Sequence, residues 1–254
     1  MTPGEMVAVL AAGTGAGAVN AVVGSGTLIT FPVLLATGLP PVTATVSNGL
    51  GLVPGSVSAI VGYREELRGQ GRRAVLLGIG AVLGGLAGAV LLLTLPASAF
   101  ERIVPVLVGL ALVLVACQPL IARRVRRRRT AGGRTHRDGG PLLFTGLTLA
   151  SVYGGYFSAA QGIIYVSLMG MLLDDTLQRL NAVKNVLAAL VNTVAAVVFL
   201  FFAEFDWTAV LLIAAGSALG GLIGARTGRR FSPAVLRTLI VSVGTLALVH
   251  LMLH

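Results

Sequence analysis

One lysine stands inside an apolar stretch that is long enough to cross a membrane. Lys184 is the sole lysine among the 19 basic residues, and Asn181 and Asn185 flank it on neighbouring helical turns. An ionisable group at such a depth is costly unless it faces a partner or a cavity. The pattern therefore predicts a binding site for an anion. The alternative is a lysine near a helix end that stretches to the lipid headgroups.

A second polar cluster lies in the first half of the chain. Ser47 and Asn48 stand in the segment TATVSNGLG, at a place that corresponds to Asn185 in the second half. Amide and hydroxyl side chains can donate hydrogen bonds to an anion. They can equally bond a neighbouring helix within the membrane, and the sequence leaves both interpretations open.

Two glycine breaks could supply further donors. The segment Gly24-Ser25-Gly26 precedes one short apolar stretch, and Gln161-Gly162 precedes another. Glycine allows a backbone bend that exposes N–H groups, and a helix that begins after the bend presents its N-terminus, which attracts anions. The alternative is a plain kink or a site of close helix packing.

These elements occur in two copies. The segment AVLGGLAGA at 81–89 matches SALGGLIGA at 217–225, and the ladder Gly80, Gly84, Gly88 recurs as Gly216, Gly220, Gly224. Small residues at every fourth position favour close packing of membrane helices. A duplicated apolar unit is typical of transporters, in which the substrate lies between the copies.

Composition indicates a helical membrane protein. Hydrophobic residues make up 56% of the chain, charged residues 11%, and the mean hydropathy is +0.92, whereas soluble domains are about a quarter charged. Each copy holds five apolar segments, the second of them too short for a full crossing. The segments are predicted at 5–23, 26–38, 41–62, 74–94 and 102–121, and at 141–159, 162–173, 177–203, 207–225 and 233–253.

Arginine-rich loops predict the orientation. Four arginines in 64–73, eight in 123–137 and three in 226–230 place these loops in the cytoplasm. An odd number of segments per copy then makes the copies inverted repeats, with both termini outside. The predicted fold is an all-α polytopic membrane protein of two inverted repeats, each with a short re-entrant hairpin helix. Its units are the first repeat at 1–121, a basic cytoplasmic loop at 122–140, and the second repeat at 141–254.

Several classes of protein are disfavoured. No catalytic constellation or metal-ligand spacing appears, so we expect no enzyme, no cofactor and no metal. The net charge of +10 is explained by the Arg123–Arg137 loop against anionic lipid headgroups rather than by nucleic acid. One cysteine, Cys117, excludes a disulfide framework. We expect no removable signal peptide, and a homo-oligomer is left open.

Two long blocks stand out, GSGTLITFPVLLATGLPPVTATVSNGL and GGYFSAAQGIIYVSLMGMLLDDTLQRLNAVKNVLAALVN. They resemble the sulfite exporter TauE/SafE family, and the resemblance covers residues 8–250. The glycine-rich turn at 24–27 carries fewer consecutive glycines than in many members. The resemblance implies a permease of the bacterial inner membrane for sulfite, sulfoacetate or other organosulfonates, with export as the usual direction.

The sequence thus predicts an exporter of small sulfur oxyanions that works by alternating access between inverted repeats. A channel-like anion conduit and an uptake permease for another small anion are the alternatives. A membrane-embedded enzyme and an accessory subunit are disfavoured. The predicted substrate-binding residues are Lys184, Asn185, Asn48, Gln161, Ser25, Gly26, Gly162, Asn181 and Ser47.

Overall fold

The protein is a bundle of apolar helices. The computed structural model describes residues 1–130, 140–227, 238, 240–245 and 248, with the backbone alone for 121–130. Eleven helices have both ends in these ranges, and no strand occurs within them. They are α1 Pro3–Val22, α2 Thr27–Ala36, α3 Pro41–Gly51, α4 Val53–Gly62, α5 Arg64–Leu67, α6 Gly71–Thr94, α7 Ala97–Thr130, α8 Gly140–Tyr156, α9 Gln161–Leu172, α10 Leu177–Phe202 and α11 Trp207–Thr227.

Six apolar helical stretches within the described ranges are long enough to cross a membrane, if α3 and α4 are counted together. The outer faces carry large apolar side chains, such as Val106 at 68% and Leu211 at 66% exposure, whereas Asn48 and Lys184 are buried. This is the arrangement expected of a protein whose solvent is lipid. The predicted all-α polytopic membrane fold is therefore confirmed.

Local sequence sets the helix ends. Thr2 accepts a hydrogen bond from the Glu5 N–H, and the Glu5 carboxylate accepts one from the Thr2 N–H, so α1 begins with a reciprocal cap. Thr176 caps α10 in a similar way by accepting from the Arg179 N–H. These caps fix where two of the long apolar helices begin.

Two of the predicted loops contain helix. Helix α7 continues through Thr130, so that residues 122–130 of the segment predicted at 122–140 are helical. A one-turn helix, α5, also forms in the predicted loop 64–73. The rest of the basic loop, at 131–139, lies outside the described residues, as does much of the segment predicted at 233–253.

The short second segment of each predicted copy is present. Helix α2 has 10 residues and α9 has 12, so they span about 15 and 18 Å at 1.5 Å per residue. A hydrocarbon core is about 30 Å thick. Neither helix can cross it alone, and both N-termini begin within the bundle.

The segment at 41–62 is broken, although the sequence predicted one helix. Helix α3 ends at Gly51 and α4 begins at Val53, because Pro54 has no N–H to continue the hydrogen-bond ladder. Next to this break, the Gly51 carbonyl accepts a hydrogen bond of 2.8 Å from the Ser217 hydroxyl on α11. A side chain from the other half of the chain thus satisfies the backbone at the break.

The glycine ladders are packing surfaces. A Cβ placed on Gly84 of α6 would collide with the Thr148 carbonyl of α8, and one placed on Gly220 of α11 would collide with the Thr14 carbonyl of α1. Only glycine allows helices to approach this closely. The ladders therefore bind the two halves of the chain together.

Candidate functional site

Lys184 points into the protein and caps another helix. Its Nζ donates hydrogen bonds to the carbonyls of Asn20, at 2.7 Å, and Ala21, at 3.0 Å, and the residue is 1% exposed. These carbonyls lie in the last turn of α1, where helix carbonyls lack partners and carry partial negative charge. The side chain does not stretch toward the headgroups.

Asn185 strengthens the same contact. Its Nδ2 donates to the Ala21 carbonyl at 3.2 Å, so two adjacent residues of α10 hold one carbonyl of α1. Asn181 is buried one turn earlier, but within the described residues it makes no hydrogen bond to α1. The structure thus joins Lys184 and Asn185 at one point and leaves Asn181 outside it.

The two glycine breaks meet next to this lysine. The Gly162 N–H donates to the Gly24 carbonyl at 3.1 Å, and Gly24 adopts a left-handed φ of 84°. A Cβ on Gly162 would lie 2.5 Å from the Gly24 Cα and 2.9 Å from the Lys184 Cδ. The predicted donor at Gly162 is therefore engaged by Gly24 in this structure. We call Gly24, Gly162 and Lys184 the tip junction.

The turn before α9 holds two non-glycine residues in the left-handed region, Ser158 at φ 69° and Ala160 at φ 57°. This conformation costs roughly 1–2 kcal/mol per residue, so the surrounding structure must hold it. A hydrogen bond from the Ser158 hydroxyl to Asn192 Oδ1, at 3.4 Å, ties the turn to α10. Such strain commonly marks a functional turn.

Ser25 carries an unused hydroxyl at the start of α2. The residue is completely buried, and its Oγ has no hydrogen-bond partner within the described part of the chain. Gly26, the N-cap of α2, supplies no side-chain cap and packs against the Ala16 carbonyl of α1. A buried polar group without a partner is costly unless a ligand completes it.

Asn48 holds α2 in place. Its Nδ2 donates to Thr27 Oγ1 at 3.2 Å, and its Oδ1 accepts from the Thr30 hydroxyl. Ser47, by contrast, accepts the Asp206 N–H at 3.0 Å and so faces the connection between α10 and α11. Sequence reasoning missed Thr27 and Thr30, although their spacing of three places them on one helix face.

Gln161 holds α9 in place, as Asn48 holds α2. Its Nε2 donates to the Tyr165 hydroxyl at 2.6 Å, and that hydroxyl lies 2.6 Å from Ser151 Oγ on α8. The Ser151 hydroxyl also donates to the Leu147 carbonyl. Tyr165 and Ser151 were missed too, since only the spacing of four between Gln161 and Tyr165 signals their contact.

The described residues offer no metal site. No group of three His, Cys, Asp or Glu side chains within those ranges is close enough to hold a metal ion. What the arrangement offers is a buried lysine amine, an unpartnered hydroxyl and an uncapped helix N-terminus. These groups bind anions.

Comparisons with known proteins give membrane transporters. A family model described as "Sulfite exporter TauE/SafE" matches residues 9–251. The "Probable membrane transporter protein YfcA" of Escherichia coli K12 is 25% identical over 90% of this chain and 82% of its own length. A "Probable membrane transporter protein" of Haemophilus influenzae is 25% identical (88% and 85%), and "Probable membrane transporter protein ORF9" of Sinorhizobium sp is 27% identical (93% and 88%). No solved structure gives a significant match.

Proposed function

Because the chain belongs to the sulfite exporter TauE/SafE family, we propose that it transports a small sulfur oxyanion across the bacterial inner membrane. The relatives bear the general name of membrane transporters, and this chain is a membrane transporter as well. The proposed substrates are sulfite and organosulfonates such as sulfoacetate. The proposed direction is export, since a cell interior that is negative drives an anion outward with about 2.3 kcal/mol per charge per 100 mV.

The observation that carries this proposal is the incomplete coordination of Lys184. An ammonium has three N–H donors, and within the described residues Lys184 uses two of them, on Asn20 and Ala21. No carboxylate of the described residues neutralises it. A buried positive charge with an unused donor favours a negatively charged ligand.

The tip junction supplies further donors for such a ligand. Ser25 follows Gly24, and its buried hydroxyl needs a partner. The first N–H groups of α2 form the positive end of its helix dipole, which is proposed to face the junction. Asn48 and Gln161 are proposed to act by positioning α2 and α9, because their own side chains are bonded to Thr27, Thr30 and Tyr165.

We further propose that the two halves are inverted repeats that rock against each other, with both termini outside. This proposal is supported by matching glycines of the two halves, which make matching contacts. Gly84 packs on Thr148 and Gly220 packs on Thr14, so the fourth segment of each half packs on the first segment of the other. Rocking about such interfaces would open the tip junction to one side at a time.

Counterflow in proteoliposomes tests the function. Vesicles loaded with unlabelled sulfite are expected to accumulate labelled sulfite transiently, and sulfoacetate is expected to compete while acetate is not. A channel would dissipate the gradient without this transient accumulation. Properly folded, monodisperse protein that gives no counterflow with any sulfur oxyanion would contradict the proposal.

A further inference from the structure

Three charged side chains join the two halves at one end of the molecule. The Asp175 carboxylate accepts hydrogen bonds from Arg73 Nη1, at 2.6 Å, and from Arg179 Nε, at 2.8 Å. Arg73 lies in the first turn of α6, Arg179 lies in the first turn of α10, and Asp175 lies two residues before α10 begins. One carboxylate therefore connects elements that are far apart in sequence.

Backbone contacts extend this cluster. Gln70 accepts from Arg73 Nη1 at 2.6 Å and donates through Nε2 to the Arg179 carbonyl at 3.1 Å. Arg179 Nη1 in turn donates to the Arg68 carbonyl at 3.2 Å. The start of α10 is thus fastened to the α5–α6 connection by both side chains and main chain.

The ionic groups are shielded from solvent. The side chains of Arg73 and Asp175 are 13% and 12% exposed, and that of Arg179 is 33% exposed. Burial alone raises the pKa of the Asp175 carboxyl, but the hydrogen bonds from Arg73 and the Thr176 N–H, with the charges of both arginines, hold that pKa below its usual value. The carboxylate is therefore ionised and firmly held.

The opposite end is fastened differently. There the described contact between α3 and the α10–α11 connection is a neutral hydrogen bond from the Asp206 N–H to Ser47, among apolar side chains such as Val46 and Phe205. Ions that separate into water are rehydrated, and this hydration offsets much of the energy lost when the cluster breaks. An ionic contact is thus suited to repeated opening.

We propose that Arg73, Asp175 and Arg179 form a latch that closes one end of the transport pathway and must open in every transport cycle. This inference rests on the proposed function. When the latch is shut, α10 and with it Lys184 are fixed to the other half. When it opens, the start of α10 separates from α6 and the tip junction becomes accessible from that end.

Cross-linking tests the latch. In a Cys117→Ser background, Arg73→Cys with Asp175→Cys is treated in proteoliposomes with a short bismaleimide, whose thioether bonds sulfite does not cleave. Linking the pair is expected to reduce sulfite counterflow to the level of protein-free vesicles. N-ethylmaleimide on the same cysteines, and a long flexible bismaleimide, are expected to leave most of the transport of the untreated variant.

A second pair of cysteines leaves Arg73, Asp175 and Arg179 unchanged, in case the first double variant does not fold. It joins Arg68→Cys to Leu177→Cys, both exposed at the same end, and the same result is expected. A pair within one half, Arg64→Cys with Arg68→Cys, serves as the control and should transport when linked. Full transport by either linked inter-half pair would overturn the latch, whereas failure of the uncross-linked wild type would overturn the proposed function instead.

Discussion

Replacing Lys184 with methionine is expected to abolish sulfite counterflow while the protein remains folded. Methionine fills a similar volume, but it removes the positive charge and both hydrogen bonds to α1. The Asn20 carbonyl loses its partner, at a cost of about 1–3 kcal/mol, whereas the Ala21 carbonyl keeps the hydrogen bond from Asn185, so the melting temperature should fall modestly. The expected loss of transport is far larger, because the anion would have no opposite charge in the membrane interior.

The Lys184→Arg variant distinguishes the effect of the positive charge on transport from the effect of the side-chain shape. The guanidinium keeps the charge, but it is planar and larger, and the Lys184 Cδ already packs closely on Gly162. We expect at least about a tenfold loss of transport, equivalent to 1.4 kcal/mol. Arg226→Gln, which removes an exposed positive charge from the end of α11, is the matched control and should transport normally. Normal transport by both Lys184 variants would exclude the lysine from the mechanism.

A side chain at the tip junction is expected to have the second largest effect. Gly162→Val should abolish transport and lower the melting temperature, because any Cβ there meets the Gly24 Cα and the Lys184 Cδ. Gly24→Ala should act in the same direction, since Gly24 also has a positive φ. Thermal unfolding in detergent and counterflow in vesicles measure the two effects.

A glycine elsewhere provides the control. Gly15 lies inside α1, and a Cβ on it would meet no atom within 4 Å. Gly15→Ala should therefore keep full transport and gain up to about 1 kcal/mol from helix propensity. If Gly162→Val had the transport and melting temperature of the wild type, the two breaks could not meet as described.

The sequence predicted the class of fold well because lipid imposes simple rules. Long apolar stretches with few charges must be helices, and the segment predicted at 26–38 contains α2, which begins one residue later, at Thr27. The break at Leu52 was missed, although Pro54 signals it, because proline is tolerated within many membrane helices. Which helices the glycine ladders join could not be predicted, since close packing depends only on small size.

Part of the candidate site could be proposed from the sequence for a similar reason. Lys184, Asn185 and Ser25 stand out because polar groups in an apolar segment are rare. The partners of Lys184 did not stand out, because they are backbone carbonyls of Asn20 and Ala21, and every residue has one. Asp175 does not stand out either, because a charged residue just before a long apolar segment is common in membrane proteins. Its contact with Arg73 depends on how two distant helix ends pack, which local sequence does not encode.

An experimental structure with selenite tests the central claim most directly. Selenite has the charge and pyramidal shape of sulfite, and the anomalous scattering of selenium locates it without ambiguity. We predict selenium at the tip junction, with a selenite oxygen within hydrogen-bond distance of Lys184 Nζ and another near Ser25 Oγ. Protein that binds selenite in solution but places it elsewhere, with Lys184 still bound only to Asn20 and Ala21, would contradict this account.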